Sequence, residues 1–525
     1  MHVITLLVPR GRWVQRCLYT FVLCAAVVAL VRLSQLTADR LLSRKITCLR
    51  CNVVILDIDV LRADALRCAD NNNTITPNLC RLIRQGTSFS NAYSQTNWTL
   101  SSSLSTVTSL YPSVNGVWDM TQQGILASTT TTLATEFQRN GYQTYYLGQD
   151  NDALLTQRNG GLRGYRYIDF GSTAETSWLS AYTSALGTHQ PIFFHAYTPW
   201  LHMPYLLYGN QSPIEVLPKP KGFPVYREEF EYIFRDYLLS HVTEVFMPDT
   251  IAQHPEIFQS KPLSVRGKRI VDYFRLLEFE NDTTKRKYAW NVFYNSYMQF
   301  INPENPQDVA YLHMMYESTL HALDDYLGGF INYLLRPEVA SHTIVVITSS
   351  HGEAFGEHGK FSHEIIPYNE LYHVPFVIKY PSGPGKQVDA VVENVDLYPT
   401  LAEMVTGKVP ANTQGISLVS LLSGVSIQAK SYAITMNYTD VFIIQNKRYA
   451  LVVYYKYPRI KPELYDLFAD PAQQHDIAFT HQDIVKQLTR LLTLTHVIPE
   501  LRLSPATSPI PPSVNKKDII RNGYF

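Results

Sequence analysis

Hydrophobic and polar positions along the chain fall into four textures. The first is a run without charge, Cys17 to Val31 (CLYTFVLCAAVVALV), with Arg10, Arg12 and Arg16 ahead of it and Arg32 behind. As a helix it spans about 22 Å, short of the ~30 Å hydrocarbon core of a bilayer. Arg16 and Arg32 can snorkel and Trp13 can sit at the interface. The run reads as a retained signal anchor in preference to a cleaved signal peptide, because no clear small-x-small site follows it closely. Either reading carries the rest of the chain across a membrane. Arg40, Arg44, Lys45 and Arg50 follow the run, so flanking charge does not decide its orientation.

From Asn52 the pattern changes. NVVILDIDVL predicts a buried strand, Pro77 to Gly86 a helix ended by glycine, and Val345 to Thr348 (VVIT) another buried strand. Strands alternating with helices predict an α/β fold with a mainly parallel central sheet covered on both faces. The stretch 206–302 is rich in Tyr, Phe and charge at helical spacing and reads as a helical insertion over the sheet. After Ser431, SYAITM, VFIIQ and RYALVVYY predict a small antiparallel C-terminal subdomain. The expected organisation is an N-terminal tail and anchor (1–45), a main domain (50–430) holding the insertion, a subdomain (431–503), and a proline-bearing tail (504–525).

Composition narrows the function. Lys plus Arg and Asp plus Glu each number 45, so the formal net charge is zero. That excludes a protein built to replace phosphate counterions, and no nucleic-acid partner is expected. With 46% apolar and 17% charged residues, the chain is neither disordered nor fibrous. Cys48, Cys51, Cys68 and Cys80 cluster in one short stretch, which suits two disulfides in an exported domain. Asn72, Asn97, Asn210, Asn281 and Asn437 head N-x-S/T sequons.

Four features carry candidate chemistry. Asp59 ends the first strand, where ligands of open α/β sheets sit, so it is a candidate metal ligand against the alternative of a cap or salt-bridge carboxylate. Thr99 opens NWTLSSSLSTVTSLYP, in which Leu100, Leu104 and Val107 keep helical spacing. It therefore lies at a helix N-terminus, a place receptive to phosphate or sulfate, either as a nucleophile or as a plain N-cap. TSSHGEAFGEHGKFSHE follows the second strand with His351, His358 and His363 among glycines, with Glu353 and Glu357 between them. PIFFHAYTPWLHMPY ends a strand in a loop carrying His202.

These blocks together resemble the sulfatase family of the alkaline phosphatase superfamily. NVVILDIDVLRADAL is similar to its first strand, whose Asp binds the metal. Thr99 falls at its nucleophile position, thirteen residues before Pro112 of the Leu110-Tyr111-Pro112 segment, with Gly116 following. TSSHGEAFGEHGKFSHE resembles its S-D-H-G-E…E-H-G…S-H loop and PIFFHAYTPWLHMPY its H-x-P-Y element. NVDLYPTLAEMVTG, GISLVSLLSG and ELYDLFADPAQQHDIA follow in the family's order. The similarity covers roughly 50 to 480, apart from 206–302. The resemblance implies an alkaline-phosphatase-like sandwich and one divalent metal ion (Ca, Mg, Mn or Zn) on Asp59, Thr99 and His351. It gives His202, His358 and His363 the contacts to the anionic group or its leaving oxygen.

Two departures bear on activity. Sulfatases proper carry Cys or Ser in a C/S-x-P-x-R context, converted to formylglycine. Here the position is Thr99, with Ser101 and Ser103 at the Pro and Arg positions, and threonine cannot form that aldehyde. Family members with Thr there are typically phosphotransferases and phosphoesterases. The metal-binding Asp of S-D-H-G is Ser350, which removes a charge opposing the cation; Asp57 or Glu353 would have to replace it. Asp57 shares a strand face with Asp59 but lies roughly 6 to 7 Å along it. The leading expectation is a membrane-anchored, metal-dependent hydrolase or transferase of phosphate or sulfate esters on a lipid or glycan, facing outside the cytoplasm. The alternatives are a sulfuric ester hydrolase without formylglycine, and a catalytically lapsed envelope protein binding an anionic ligand. A glycan on Asn97 would favour the last.

Overall fold

The computed structural model describes residues 26–28, 30, 32, 46–70, 73–117, 124–148, 155–169, 178–187, 190–207, 211–230, 232–234, 237, 292–363, 366–424, 430–437, 441–455 and 459–495. Most of the 17–31 run, most of the 206–302 insertion, the sequons at Asn72, Asn210 and Asn281, and the 504–525 tail lie outside them. Among the described residues no helix is long and apolar enough to cross a membrane.

Helices and strands alternate as the pattern requires: β1 Asn52–Ile58, α1 Pro77–Ile83, β2 Thr87–Tyr93, α2 Thr99–Thr108, α3 Leu133–Arg139, β3 Gln143–Leu147, β4 Tyr167–Asp169, α4 Trp178–Ala185, β5 Ile192–Thr198, α5 Pro306–Leu334, β6 Thr343–Thr348, the short pair β7 Ala354–Phe355 and β8 Phe361–Ser362, β9 Phe376–Lys379, β10 Lys386–Glu393 and α6 Leu397–Thr406. Eight strands form one sheet in the order β10-β2-β9-β6-β1-β5-β3-β4. Only β9 runs against its neighbours, β2 and β6. The C-terminal strands β11 Ala433–Asn437, β12 Val441–Gln445, β13 Tyr449–Tyr454 and β14 Glu463–Asp466 form the expected antiparallel sheet, backed by α7 Gln482–Leu494.

The central strand shows why both faces are covered. Val54, Leu56 and Ile58 enter a core with Leu320, Leu323 and Leu327 of α5. Val53 and Ile55 enter a second core with Leu100, Leu104 and Val107 of α2. This is the two-residue side-chain period of a strand with a helix layer on each side. Asp57 and Asp59 follow Val53 and Ile55 in that alternation, so they face α2.

Two local expectations need correction. The first helix ends at Ile83, and Gly86 is not its stop. A Cβ at Gly86 would meet Val377 Cγ1 at 3.0 Å, so the glycine serves close packing on β9. The serines of α2 are not on an exposed face, since all ten residues of the helix are buried. Their hydroxyls are satisfied internally, Ser101 by Val117 O at 2.6 Å and Ser102 by Ser350 O at 2.6 Å. The second of these bonds ties α2 to the turn after β6. The cysteines pair as Cys48–Cys51 and Cys68–Cys80.

Candidate active site

The site forms where β1, β5 and β6 end side by side. In the parallel register Asp57 lies beside Tyr197 on one flank and Thr348 on the other. Asp59 leaves β1 with its N–H donating to Thr198 O at 2.9 Å. Val60, directly after it, is a β-branched residue at φ 52°, a backbone outlier of the kind that surrounding structure must hold in place. β6 delivers Ser350 and His351 two and three residues after Thr348.

Thr99 is the first residue of α2, with Trp98 extended ahead of it and no side chain capping the helix. The plain N-cap reading is therefore wrong. The first intrahelical bond runs from Ser102 N–H to Trp98 O at 2.9 Å, so the N–H groups of Thr99 to Ser101 lie ahead of it. Thr99 Oγ1 lies 3.1 Å from His351 Nε2 and 3.3 to 3.4 Å from the Asp59 oxygens. Tyr197 OH donates to Asp59 Oδ2 at 2.7 Å, and Ser350 Oγ donates to Asp59 Oδ1. Burial alone would raise the Asp59 pKa. The imidazoles of His351 and His202 and these two hydroxyls outweigh burial and lower it, so Asp59 is the anion of the site.

Three imidazoles line up beyond Asp59. The His351 and His363 rings are 4.5 Å apart and those of His363 and His202 are 4.8 Å apart. His351 Nδ1 donates to Gly352 O at 2.8 Å, His202 Nδ1 to Met203 O at 2.8 Å, and His363 Nδ1 to Glu353 Oε1 at 3.2 Å. Each ring thus keeps Nε2 for the site. Burial, and next the neighbouring His363, push the His351 pKa down to about 4. Burial, then His202, pushes that of His363 down to about 3. Both are neutral near pH 7.

Several expected roles change. Asp57 cannot replace the carboxylate absent at Ser350, because His195 Nε2 holds its Oδ2 at 3.2 Å and Tyr165 OH holds the far ring nitrogen at 2.7 Å. Glu353 is likewise committed, to His363 and to Tyr205 OH at 2.9 Å. His358 makes its contacts elsewhere: it stacks on Tyr368 at 3.6 Å between ring centres and lies 3.5 Å from Glu370. Asn97 is fully buried with Nδ2 donating to His363 O at 2.7 Å, which leaves no room for a glycan. Asn437 is buried as well. Sequence reading missed Tyr197, His195, Tyr205 and Arg62. The i, i+2 spacing of His195 and Tyr197 in an otherwise apolar strand is the signal that pointed to them. Arg62 clamps the histidine loop, its Nη1 donating to Glu353 O at 2.9 Å and Glu357 Oε1 at 2.7 Å.

The donors were tested against the implied divalent ion. Asp59, His351 Nε2 and Thr99 Oγ1 are 3.1 to 3.7 Å apart, the separation of donors sharing one cation. The His351 Nδ1 bond to a backbone carbonyl is the usual outer support of a metal-ligating imidazole. Among the described residues no group of three His, Cys, Asp or Glu could hold a metal, so the third donor must be the hydroxyl. The set fits in geometry and carries a single negative charge.

Two predictions arise here. A Cβ on Gly352 would lie 2.0 Å from Glu370 O. Gly352→Ala is therefore expected to push the His351 loop off the sheet, costing about 3 kcal/mol and most activity. Urea unfolding alongside turnover checks it; a variant of wild-type stability would refute the close-packing account. Burial raises the Glu370 pKa to about 7. A carboxyl raised in the folded state favours folding fully below its unfolded pKa, and the benefit is lost as pH rises through about 7. Glu370→Gln should match wild type near pH 4 and exceed it by about 1 to 3 kcal/mol at pH 8. Denaturation at the two pH values reads the difference, and parallel curves would contradict it.

Comparison with known proteins places this geometry. The profile described as Sulfatase matches residues 51–212 and 275–407, and one described as N-sulphoglucosamine sulphohydrolase, C-terminal, matches 356–497. The chain is 23% identical over 498 residues to N-acetylglucosamine-6-O-sulfatase of Bacteroides thetaiotaomicron, covering 85% of each chain. It is 28% identical over 215 residues to Arylsulfatase K of Xenopus laevis, which is 38% of this chain and only 40% of that protein. In fold it is similar to BT4656, solved with D-glucosamine-2-N,6-O-disulfate (TM-score 0.60, 19% identity, 85% of this chain and 97% of that one). It is also similar to the phosphonate monoester hydrolase of Agrobacterium radiobacter (TM-score 0.57, 18% identity, 85% and 95%).

Proposed function

The chain belongs to the sulfatase family, and from that premise we propose that it is a hydrolase or transferase of sulfate or phosphate esters that uses Thr99 as its nucleophile. The observation that carries this reading is Thr99 Oγ1 at the start of a buried helix, within 3.1 Å of a neutral imidazole and 3.3 Å of an ionised carboxylate. Thr99 Oγ1 bonds to the sulfur or phosphorus as the bond from that atom to the ester oxygen breaks. The hydroxyl proton has two acceptors in reach, Asp59 and His351 Nε2. His202, half-buried on its loop, stands where the departing oxygen can collect a proton. Water or an alcohol then attacks the same centre and frees Thr99. A divalent cation would be held by Asp59, Thr99 and His351 and would supply positive charge beside the hydroxyl and the ester oxygens. His363, oriented by Glu353, offers Nε2 to the anionic group.

Sulfated glycans are the favoured substrate class, on the likeness to the glucosamine sulfatase along 85% of both chains. Phosphate and phosphonate esters are the second class, favoured by a threonine that cannot become formylglycine. Nitrophenyl sulfate, phosphate, phosphodiester and phosphonate, with glucosamine 6-sulfate, form the test panel under several divalent metals. Turnover confined to sulfate esters would select the first class. No turnover on any substrate would return the reading to a lapsed, ligand-binding protein.

Membrane anchoring by residues 17–31 and a site outside the cytoplasm belong to the same proposal. The arginines flanking the run and the two cysteine pairs support it. Release of the protein from membranes by carbonate alone would refute the anchor.

A further inference from the structure

The end of the central sheet away from Thr99 carries a buried cation with nothing to pair it. Lys379 closes β9, opposite Val345 in the antiparallel register with β6. From there β6 runs on to Ser350, so Lys379 lies roughly 17 Å from the active site at ~3.3 Å per residue. It is only 6% exposed. Among the described residues its ammonium meets no acidic side chain and no hydrogen-bond acceptor. An ammonium withdrawn from water without a partner is costly, and burial lowers the Lys379 pKa.

The ammonium lines a cleft of about 360 Å³ together with Arg84, Ser341 and Ser382, and no Asp or Glu lines it. Arg84 Nη2 donates to the backbone oxygens of Cys68 at 3.0 Å and Asp70 at 3.4 Å, and no carboxylate neutralises it. The loop bearing Ser382 docks on the end of α1 so closely that a Cβ on Gly385 would lie 1.9 Å from Arg84 O. That contact fixes Arg84 and Ser382 on the same cleft as Lys379.

We propose that Lys379, Arg84 and Ser382 form a second oxyanion site at the opposite end of the sheet from Thr99. It takes one tetrahedral oxyanion, sulfate or phosphate, free or as the sulfo group of an acidic glycan. Two cations, a hydroxyl donor and the absence of lining carboxylates are the chemistry such a group requires. The site does not rest on the role assigned to Thr99.

The test measures binding of sodium sulfate, sodium phosphate and a sulfated disaccharide to the full chain by calorimetry, with chloride balancing ionic strength. Wild type is compared with Lys379→Met, Lys379→Arg and Arg84→Gln. Lys379→Met should bind about tenfold more weakly, Lys379→Arg should retain binding, and Arg84→Gln should lose several-fold. Without anion, Lys379→Met should melt no lower than wild type, since it removes an unpaired buried charge. Dependence on Lys379 for inorganic ions identifies a free-ion site, and for the disaccharide alone a glycan site. Binding equal in all four proteins, or confined to a Lys379-independent site, would overturn the proposal. Should Lys379→Met fail to fold, unchanged binding by Arg84→Gln would do the same.

Discussion

Thr99→Ala is expected to lower turnover by roughly 10³- to 10⁶-fold, the range seen when a covalent nucleophile is removed, while leaving the fold intact. The hydroxyl caps no helix and supports no distant element. Its contacts are Asp59 and His351, both of which keep other partners: Tyr197 and Ser350 on Asp59, Gly352 O on His351. The variant should therefore melt within about 1 kcal/mol of wild type. Thr99→Ser should keep part of the activity because it keeps the oxygen. A Thr99→Ala protein that turned over at the wild-type rate would show that the attacking group is water, and the covalent reading would fail.

Ser350→Asp is expected to make the protein respond strongly to divalent metal. The Ser350 hydroxyl now donates to Asp59 Oδ1 and neutralises nothing. A carboxylate there would face Asp59 at hydrogen-bond distance. Without cation the two charges repel inside a buried site, costing about 1 to 3 kcal/mol and driving one of them to hold a proton. With Mn²⁺ or Ca²⁺ the second carboxylate becomes a ligand, and affinity should rise tenfold or more. The melting temperature of Ser350→Asp should fall in EDTA and recover with metal, while wild type moves less. Calorimetric titration gives the affinities directly. Equal metal response in the two proteins would mean that Ser350 does not border the cation position.

Much of the fold was legible because its signals are local. The alternation in NVVILDIDVL marks β1 and turns Asp57 and Asp59 to one face. The spacing of Leu100, Leu104 and Val107 marks α2 and sets Thr99 at its start. The short strands after Ser431 pair as read. Where reading fell short, the deciding partner was far along the chain. Gly86 resembles a helix stop, yet its role is contact with Val377. Ser101 and Ser102 resemble a solvent face, yet Val117 and Ser350 cover them.

The same division runs through the site. By itself the sequence determined which residues stand at chain positions suited to chemistry: Asp59 after a strand, Thr99 at a helix start, His202 and the histidines from His351 to His363 on loops. These follow from periodicity and turn residues over a dozen positions. Only the tertiary structure decided that Asp57 serves His195, that Glu353 orients His363, that His358 stands apart, that Asn97 is sealed from glycosylation and that Lys379 is buried without a partner. Those outcomes depend on how strands distant in sequence align in the sheet. A shift of one residue in that register would turn each side chain to the opposite face.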